Sequence, residues 1–157
     1  MTNFGKQMFT WMKDLFPVCR SLTGDGVDET LSYLKNKIGI KINILKFKTG
    51  QKVFDWTIPE VWNIKDGYIK TLSGKKIVNF KDNNLHVVGY STAVNKIILR
   101  KDLLKHIYTQ TNQPKLIPYV TSYYKKNWGF CVSENFKKKI KNKKYRVYID
   151  STHKNGD

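Results

Sequence analysis

Apolar residues recur at helical spacing over residues 4–16, where Phe4, Met8, Trp11, Met12 and Leu15 form one stripe. This pattern predicts an amphipathic helix. Pro17 should end it, because the residue before a proline is pushed out of the helical region. A turn follows through Arg20-Ser21-Leu22-Thr23-Gly24-Asp25-Gly26. A second helix is expected from there, with Asp25 as its N-cap and Asp28 and Glu29 in the electropositive first turn. Val27, Leu31, Leu34 and Ile38 give this helix its apolar stripe, and Gly39 suits a C-terminal stop. Each helix needs a surface to cover its stripe.

After Gly39 the period shortens. Ile40, Ile42 and Ile44 alternate with polar residues, which predicts a half-buried strand. Residues 53–58 read as another strand, closed by Pro59. Residues 67–72, a Ser73-Gly74 turn and residues 75–78 read as a hairpin. Residues 85–90 are expected to be a strand, residues 101–108 a short helix and residues 133–140 another. Pro114 and Pro118 frame a loop ahead of the aromatic run Tyr119, Tyr123, Tyr124, Trp128 and Phe130. In the last segment Tyr145, Val147 and Ile149 alternate with Arg146, Tyr148 and Asp150, which predicts a strand. Asn155-Gly156 favours a tight hairpin turn, so a return strand is expected beyond Asp157. An unpaired strand edge at that point suggests a truncated domain.

Composition narrows the classes. A chain of 157 residues, 40% hydrophobic and 13% aromatic, can build one domain, or a small domain with part of a second. No apolar run is long enough to span a bilayer, and Lys6, Lys13 and Asp14 interrupt the N-terminal apolar residues, so there is no signal-peptide pattern. The expected location is the cytoplasm, with no membrane partner. The formal net charge of +17 raises a nucleic-acid reading. The positive charge is almost all lysine, however, with Arg20, Arg100 and Arg146 the only arginines, and recognition of phosphates and base edges favours the arginine fork. A solvated basic face is therefore preferred, including at the dense run from Lys137 to Arg146. Cys19 and Cys131 match no ligand or redox spacing and read as ordinary small thiols.

Candidate chemistry is sparse. A hydrolytic zinc site needs about three converging ligands and a general base. The chain has three histidines, none at i,i+4 with another, and only Glu29, Glu60 and Glu134 as glutamates. It has no His-Glu-x-x-His motif, no phosphate loop and no nucleophile elbow. No residue is assigned to catalysis or to metal binding. His86 is expected within a strand, either in a pocket or satisfied by a hydrogen bond inside a sheet. His106 and His153 are expected at the surface. The Tyr119–Phe130 run reads as domain core, with a base-stacking platform as its competitor. Arg20 and Ser21 could bind a substrate carboxylate or brace the first two helices.

Several strings carry a family resemblance. They are the segment 15–26 (LFPVCRSLTGDG), Lys52 to Pro59 with Trp62-Asn63-Ile64, Asp82 to Thr92, Ile117 to Tyr124 with Trp128-Gly129-Phe130-Cys131, and Tyr145 with Ile149-Asp150-Ser151-Thr152. Together they resemble the aminopeptidase-like DUF4910 family, whose core is similar to M28 zinc peptidases and whose N-terminal region carries an inserted β-rich DUF2172 domain. Departures are mild: Thr49 where a serine is usual, and Ala93 where a proline is usual.

The resemblance implies an α+β chain with two N-terminal helices from an incomplete α/β zinc-peptidase-like core and a β-rich insert. It implies boundaries at residues 1–45 for the helices and first core strand, 46–142 for the insert, and 143–157 for a truncated return to the core. The implied function is that of the N-terminal part of a zinc-dependent aminopeptidase-like hydrolase whose insert shapes the substrate cleft. Zinc would belong to the complete protein, with none expected on this chain, which by itself is expected to be inactive. The implied partners are a C-terminal peptidase core and a peptide-like or other amide substrate. Arg20, Ser21, His86, Tyr90 and Tyr123 are the substrate-pocket candidates. A basic nucleic-acid-binding module or a non-enzymatic interaction domain is the alternative.

Overall fold

A computed structural model describes residues 3–157. Helix α1 spans Asn3–Leu15, with Lys13 in its last turn beside the exposed carbonyls. Arg20 Nη1 donates to the Leu15 carbonyl at 2.6 Å, a side-chain cap where Pro17 prevents continuation. Helix α2 spans Asp25–Ile38. Its N-cap is Gly24, at φ 99°, and no side chain caps it, so the expected Asp25 cap is replaced by a glycine conformation one residue earlier. Asp25 and Asp28 occupy the first turn, and Gly39, at φ 71°, ends the helix in the left-handed conformation. Gly26 is packed tightly: a Cβ there would lie 1.9 Å from the Cys19 carbonyl oxygen. Tyr33 donates its hydroxyl to Asp14 Oδ2 at 2.5 Å, which links the two helices and pushes the phenol up to about 12.

The strand expected at Ile40–Ile44 is absent, and residues 41–48 have no regular structure. Alternation alone cannot hold a strand without a hydrogen-bonding neighbour. The segment 53–58 is a small hairpin rather than one strand. Strand β1 (Lys52–Val53) pairs antiparallel with β2 (Trp56–Thr57), and Phe54 turns the chain at φ 55°. Thr49 ties this unit together. Its N–H donates to Gly156 O at 2.8 Å, and its hydroxyl donates to Pro59 O at 3.2 Å and accepts from Gly156 N at 3.1 Å. Threonine keeps the hydroxyl of the more usual serine, so that departure preserves the bonds. Asn155-Gly156 therefore serves as a docking strip for Thr49 and forms no hairpin turn; Gly156 is not in the positive-φ region that such a turn requires.

The chain divides into two compact units, one running through Val61 and taking back Asn155–Asp157, the other Trp62–Lys154. The second holds a four-stranded sheet. Strand β3 (Val61–Thr71) turns at Ser73-Gly74 into β4 (Lys76–Asn79), with Gly74 at φ 95°. Strand β5 spans Val94–Leu99, a segment the apolar pattern leaves unassigned because Ile97, Ile98 and Leu99 run together. Helix α3 (Arg100–Leu103) and a 3-10 turn (Leu104–His106) follow, then β6 (Ile107–Tyr108), which pairs parallel with β7 (Phe130–Cys131). The 3-10 turn and β6 end the helix expected over residues 101–108 early. Helix α4 (Glu134–Lys137) starts on Ser133, whose hydroxyl accepts from Phe136 N. Strand β8 spans Lys144–Lys154, and the sheet order is β4-β3-β8-β5.

β8 is thus an interior strand hydrogen-bonded on both sides, and the unpaired edge expected of Tyr145–Asp150 does not exist. Tyr145, Val147, Ile149 and Ser151 point into the core and the residues between them do not, the period of two that a one-sided sheet imposes. Ile69, Val78, Phe130, Val132, Leu103 and Ile140 complete that core, with Trp128 at its margin. The aromatic run divides as its environments dictate. Trp128 and Phe130 are core, while Tyr119 and Tyr124 are exposed. Among the described residues no helix is long and apolar enough to cross a membrane.

Candidate functional site

Residues 85–90 do not form the expected strand. Asn84–His86 is a 3-10 turn, capped by the Asn83 side chain, and the chain then crosses the core through single bridges from Val87 to Phe130, Gly89 to Thr121 and Ser91 to Asn127. At the centre sits Tyr90, at φ 63°. A tyrosine in the left-handed region costs roughly 1–2 kcal/mol and persists only where its surroundings over-determine it.

The surroundings here do so. Gly89 N donates to Val120 O at 2.9 Å, Ser122 N to Gly89 O at 2.9 Å and Thr92 N to Asn127 O at 2.8 Å. Ser91 is fully buried; its hydroxyl donates to Val88 O at 2.6 Å and accepts from Gly129 N at 3.3 Å. The Ser91 carbonyl accepts twice, from Trp62 Nε1 at 2.9 Å and from Ser151 Oγ at 2.7 Å. A buried carbonyl with both lone pairs used is fixed in place.

The Tyr90 ring is the hub of an aromatic cluster. Trp62 stacks on it at 5.6 Å and 17°, Tyr123 meets it edge-on at 5.8 Å, and the His153 imidazole does the same at 6.0 Å. Tyr123 in turn contacts Tyr124 at 4.6 Å, and Tyr124 is 75% exposed. Aromatic pairs of this kind contribute about 0.5–1.5 kcal/mol each beyond burial. The cluster runs from buried Trp62 and Tyr90 through half-buried Tyr123 and His153 to exposed Tyr124.

Of the five candidates read from the sequence, the fold brings Tyr90 and Tyr123 together. His86 lies elsewhere: its Nδ1 is 2.8 Å from the Cys131 carbonyl, which can only accept, so Nδ1 carries the proton. Arg20 caps α1, and Ser21 Oγ is buried without a hydrogen-bond partner, both in the N-terminal unit. The other two histidines are not free surface groups. His106 is half-buried and stacks on Trp128 at 3.7 Å, and half-buried His153 joins Tyr90. Sequence reasoning did not place Trp62, Ser91, Ser151 or His153 in the site. The one available signal was Gly89-Tyr90-Ser91 between apolar residues, and tyrosine is not a residue that announces a left-handed turn.

The thiols are inert in character. Cys131 is wholly buried and its thiol is pushed up to about 12, and burial also raises that of half-buried Cys19. Among the described residues no three histidine, cysteine, aspartate or glutamate side chains gather to hold a metal. The described residues do not fit a zinc site.

Comparison with known proteins follows the same division. A protein of Clostridium acetobutylicum, provisionally named a polysaccharide biosynthesis protein with an aminopeptidase-like domain, is 41% identical over 152 residues, which is 97% of this chain and 35% of the relative. A crystal structure from the same organism, provisionally described as a peptidase, superposes with a TM-score of 0.90 at 41% identity, covering 98% of this chain and 36% of that one. The chain therefore spans about a third of the length of the relatives it matches, in a fold of the α+β class. The domain of unknown function DUF2172 matches residues 61–152, more than half of the sequence and nearly the whole unit that contains the Tyr90 turn. This chain belongs to the DUF2172 family.

Proposed function

We propose that this chain supplies the N-terminal helices and the DUF2172 module of a cytoplasmic, zinc-dependent aminopeptidase-like hydrolase of the DUF4910 type, with a core similar to M28 peptidases. The observation that carries the proposal is the state of α1 and α2. Neither helix buries a single side chain, while Phe4, Met8, Phe9 and Met12 are all more than half exposed. Contiguous exposed apolar surface of this kind marks an interaction site. The relatives, named as aminopeptidase-like or peptidase, carry about two-thirds more of their length beyond the matched part. That body is the proposed cover for the stripes.

Zinc would be held by that body, and no residue described here is assigned to it. The module's part is substrate recognition: the Tyr90 cluster forms one wall of the cleft, with Tyr123 and Tyr124 toward the ligand. The substrate is an amide, either of a peptide or of a precursor in polysaccharide assembly, as the relative's name suggests.

The test uses a complete zinc-loaded protein carrying this segment and follows release of free amine from aminoacyl and N-acyl amino-sugar amides. Release should be abolished by a chelator, and Tyr124→Ala should raise KM by about 2–10-fold with kcat unchanged, the signature of lost ground-state binding. No amine release from either substrate class would sink the proposal and leave a non-enzymatic interaction module.

A further inference from the structure

We propose that the loop between α4 and β8, together with α3, is a docking surface for an acidic polysaccharide. The claim rests on the proposed function only in choosing a glycan as the polymer; the surface itself follows from the geometry below.

Lysine runs are usually mobile and solvated, but this one is held in shape. Ile140, in the middle of the run, is fully buried. Arg100 clamps the loop twice, with Nε donating to Ile140 O at 2.6 Å and its backbone N–H to Lys143 O at 2.9 Å. Asn142 N donates to the hydroxyl of buried Tyr145 at 2.7 Å, which fixes the far end. A segment this ordered loses little further entropy on binding.

The clamp turns the lysines outward. Lys138, Lys139, Lys141, Lys143 and Lys144 are all exposed, and Lys101 is exposed on α3 next to Arg100. Among the described residues none of these six has a carboxylate within ion-pair distance. Asp102 is engaged by Lys105 at 3.1 Å, and Glu134 is left as the nearby acidic residue in sequence. Exposed ammonium groups without counter-charges, carried on an ordered backbone, create a local field that attracts a polyanion.

The chemistry of the surface chooses among polyanions. Single-stranded nucleic acid is held by stacking its bases on aromatic or guanidinium faces. Here Tyr145 is buried and Phe136 is half-buried in the core margin, while exposed Arg100 has its Nε engaged by the Ile140 carbonyl. The other exposed cations of the surface are lysine point charges. Lysine ammonium groups recognise carboxylates without demanding planar, bidentate geometry, which suits the evenly placed carboxylates of a uronic-acid polymer.

The experiment titrates the chain into a short fluorescent oligogalacturonate at physiological salt and follows anisotropy, with single-stranded and duplex DNA of similar charge as parallel probes. Charge reversal at three exposed positions (Lys138→Glu, Lys141→Glu, Lys143→Glu) is expected to weaken oligogalacturonate binding by about ten-fold or more and to flatten the salt dependence. The same reversal in the other unit (Lys35→Glu, Lys37→Glu, Lys41→Glu) should change it less than about two-fold. Arg100→Lys keeps the charge but removes the Nε clamp, and is expected to weaken binding several-fold. Circular dichroism verifies that each variant is folded, and Lys→Gln versions of the three loop positions stand in for any that is not. Equal losses from both reversal sets would show a diffuse field and overturn the proposal, as would tighter binding of either DNA. Unchanged binding in Arg100→Lys would overturn the clamp. None of these readouts involves amide hydrolysis, so this proposal and the hydrolase reading fail independently.

Discussion

Trp62–Lys154 encloses an apolar core, with Ile69, Phe130, Val132 and Val147 fully buried. In the unit ending at Val61, no described residue is buried, although its helices are as clearly amphipathic as any in the chain. Phe54, at the tip of the β1–β2 hairpin, is 99% exposed in a left-handed conformation. The difference teaches that an apolar stripe records a requirement for a partner, and that the partner need not be local. The sheet satisfies its own faces; the helices are proposed to await a second body. An amphipathic helix draws most of its stability from such packing, so the N-terminal unit should be the weaker one.

The largest effect expected is in the sheet unit. Phe130→Ala should cost about 3–5 kcal/mol in urea unfolding, because the cavity it leaves among close-packed neighbours cannot collapse. A loss under about 1 kcal/mol would show that the core is not where the burial places it. Ser91→Ala is expected to cost about 1–3 kcal/mol, since it leaves the buried Gly129 N–H without its acceptor. In the N-terminal unit Gly26→Ala is the exception to tolerance: its Cβ meets the Cys19 carbonyl, and a cost of about 1–3 kcal/mol should appear as lost helical circular dichroism.

The thiols sharpen the same contrast. Iodoacetamide should label Cys19 before Cys131, read by mass spectrometry, because Cys131 is fully buried and Cys19 only half so. The folded state holds the Cys131 proton more tightly than the unfolded chain, whose thiol has the ordinary value of 9.0. That contribution is fully present below pH 9.0 and is lost as pH rises toward about 12. Alkaline unfolding that moves to higher pH in Cys131→Ala would agree with this sign. The smallest effect belongs to the exposed stripe, where Phe9→Ser should change the stability of this chain by less than about 0.5 kcal/mol.

The legible parts of the sequence were those governed by local physics. Gly39 ends α2, Pro17 follows the end of α1, and Ser73-Gly74 turns β3 into β4, since each depends on one residue's own conformational range. Alternation identified β8 but could not say how many neighbours it has, and the same rule misread Ile40–Ile44, which has the pattern and no partner. The site was half legible. Tyr90 and Tyr123 could be singled out, but their meeting depends on bridges from Gly89 and Ser91 to residues more than thirty positions away. His106 and His153 were misplaced for a similar reason: a ring's exposure is decided by Trp128 and Tyr90, which are distant in sequence from the 3-10 turn and the strand that carry them.

Native-state hydrogen exchange on this chain, alone and with the remaining two-thirds of its Clostridium relative, tests the central claim most directly. Amides of β3 and β8 should exchange only through global unfolding in both cases, while those of α1 and α2 exchange readily alone and become protected when the second body is added. Helices α1 and α2 protected as strongly as β8 in the chain alone, or unchanged by the added body, would contradict the account.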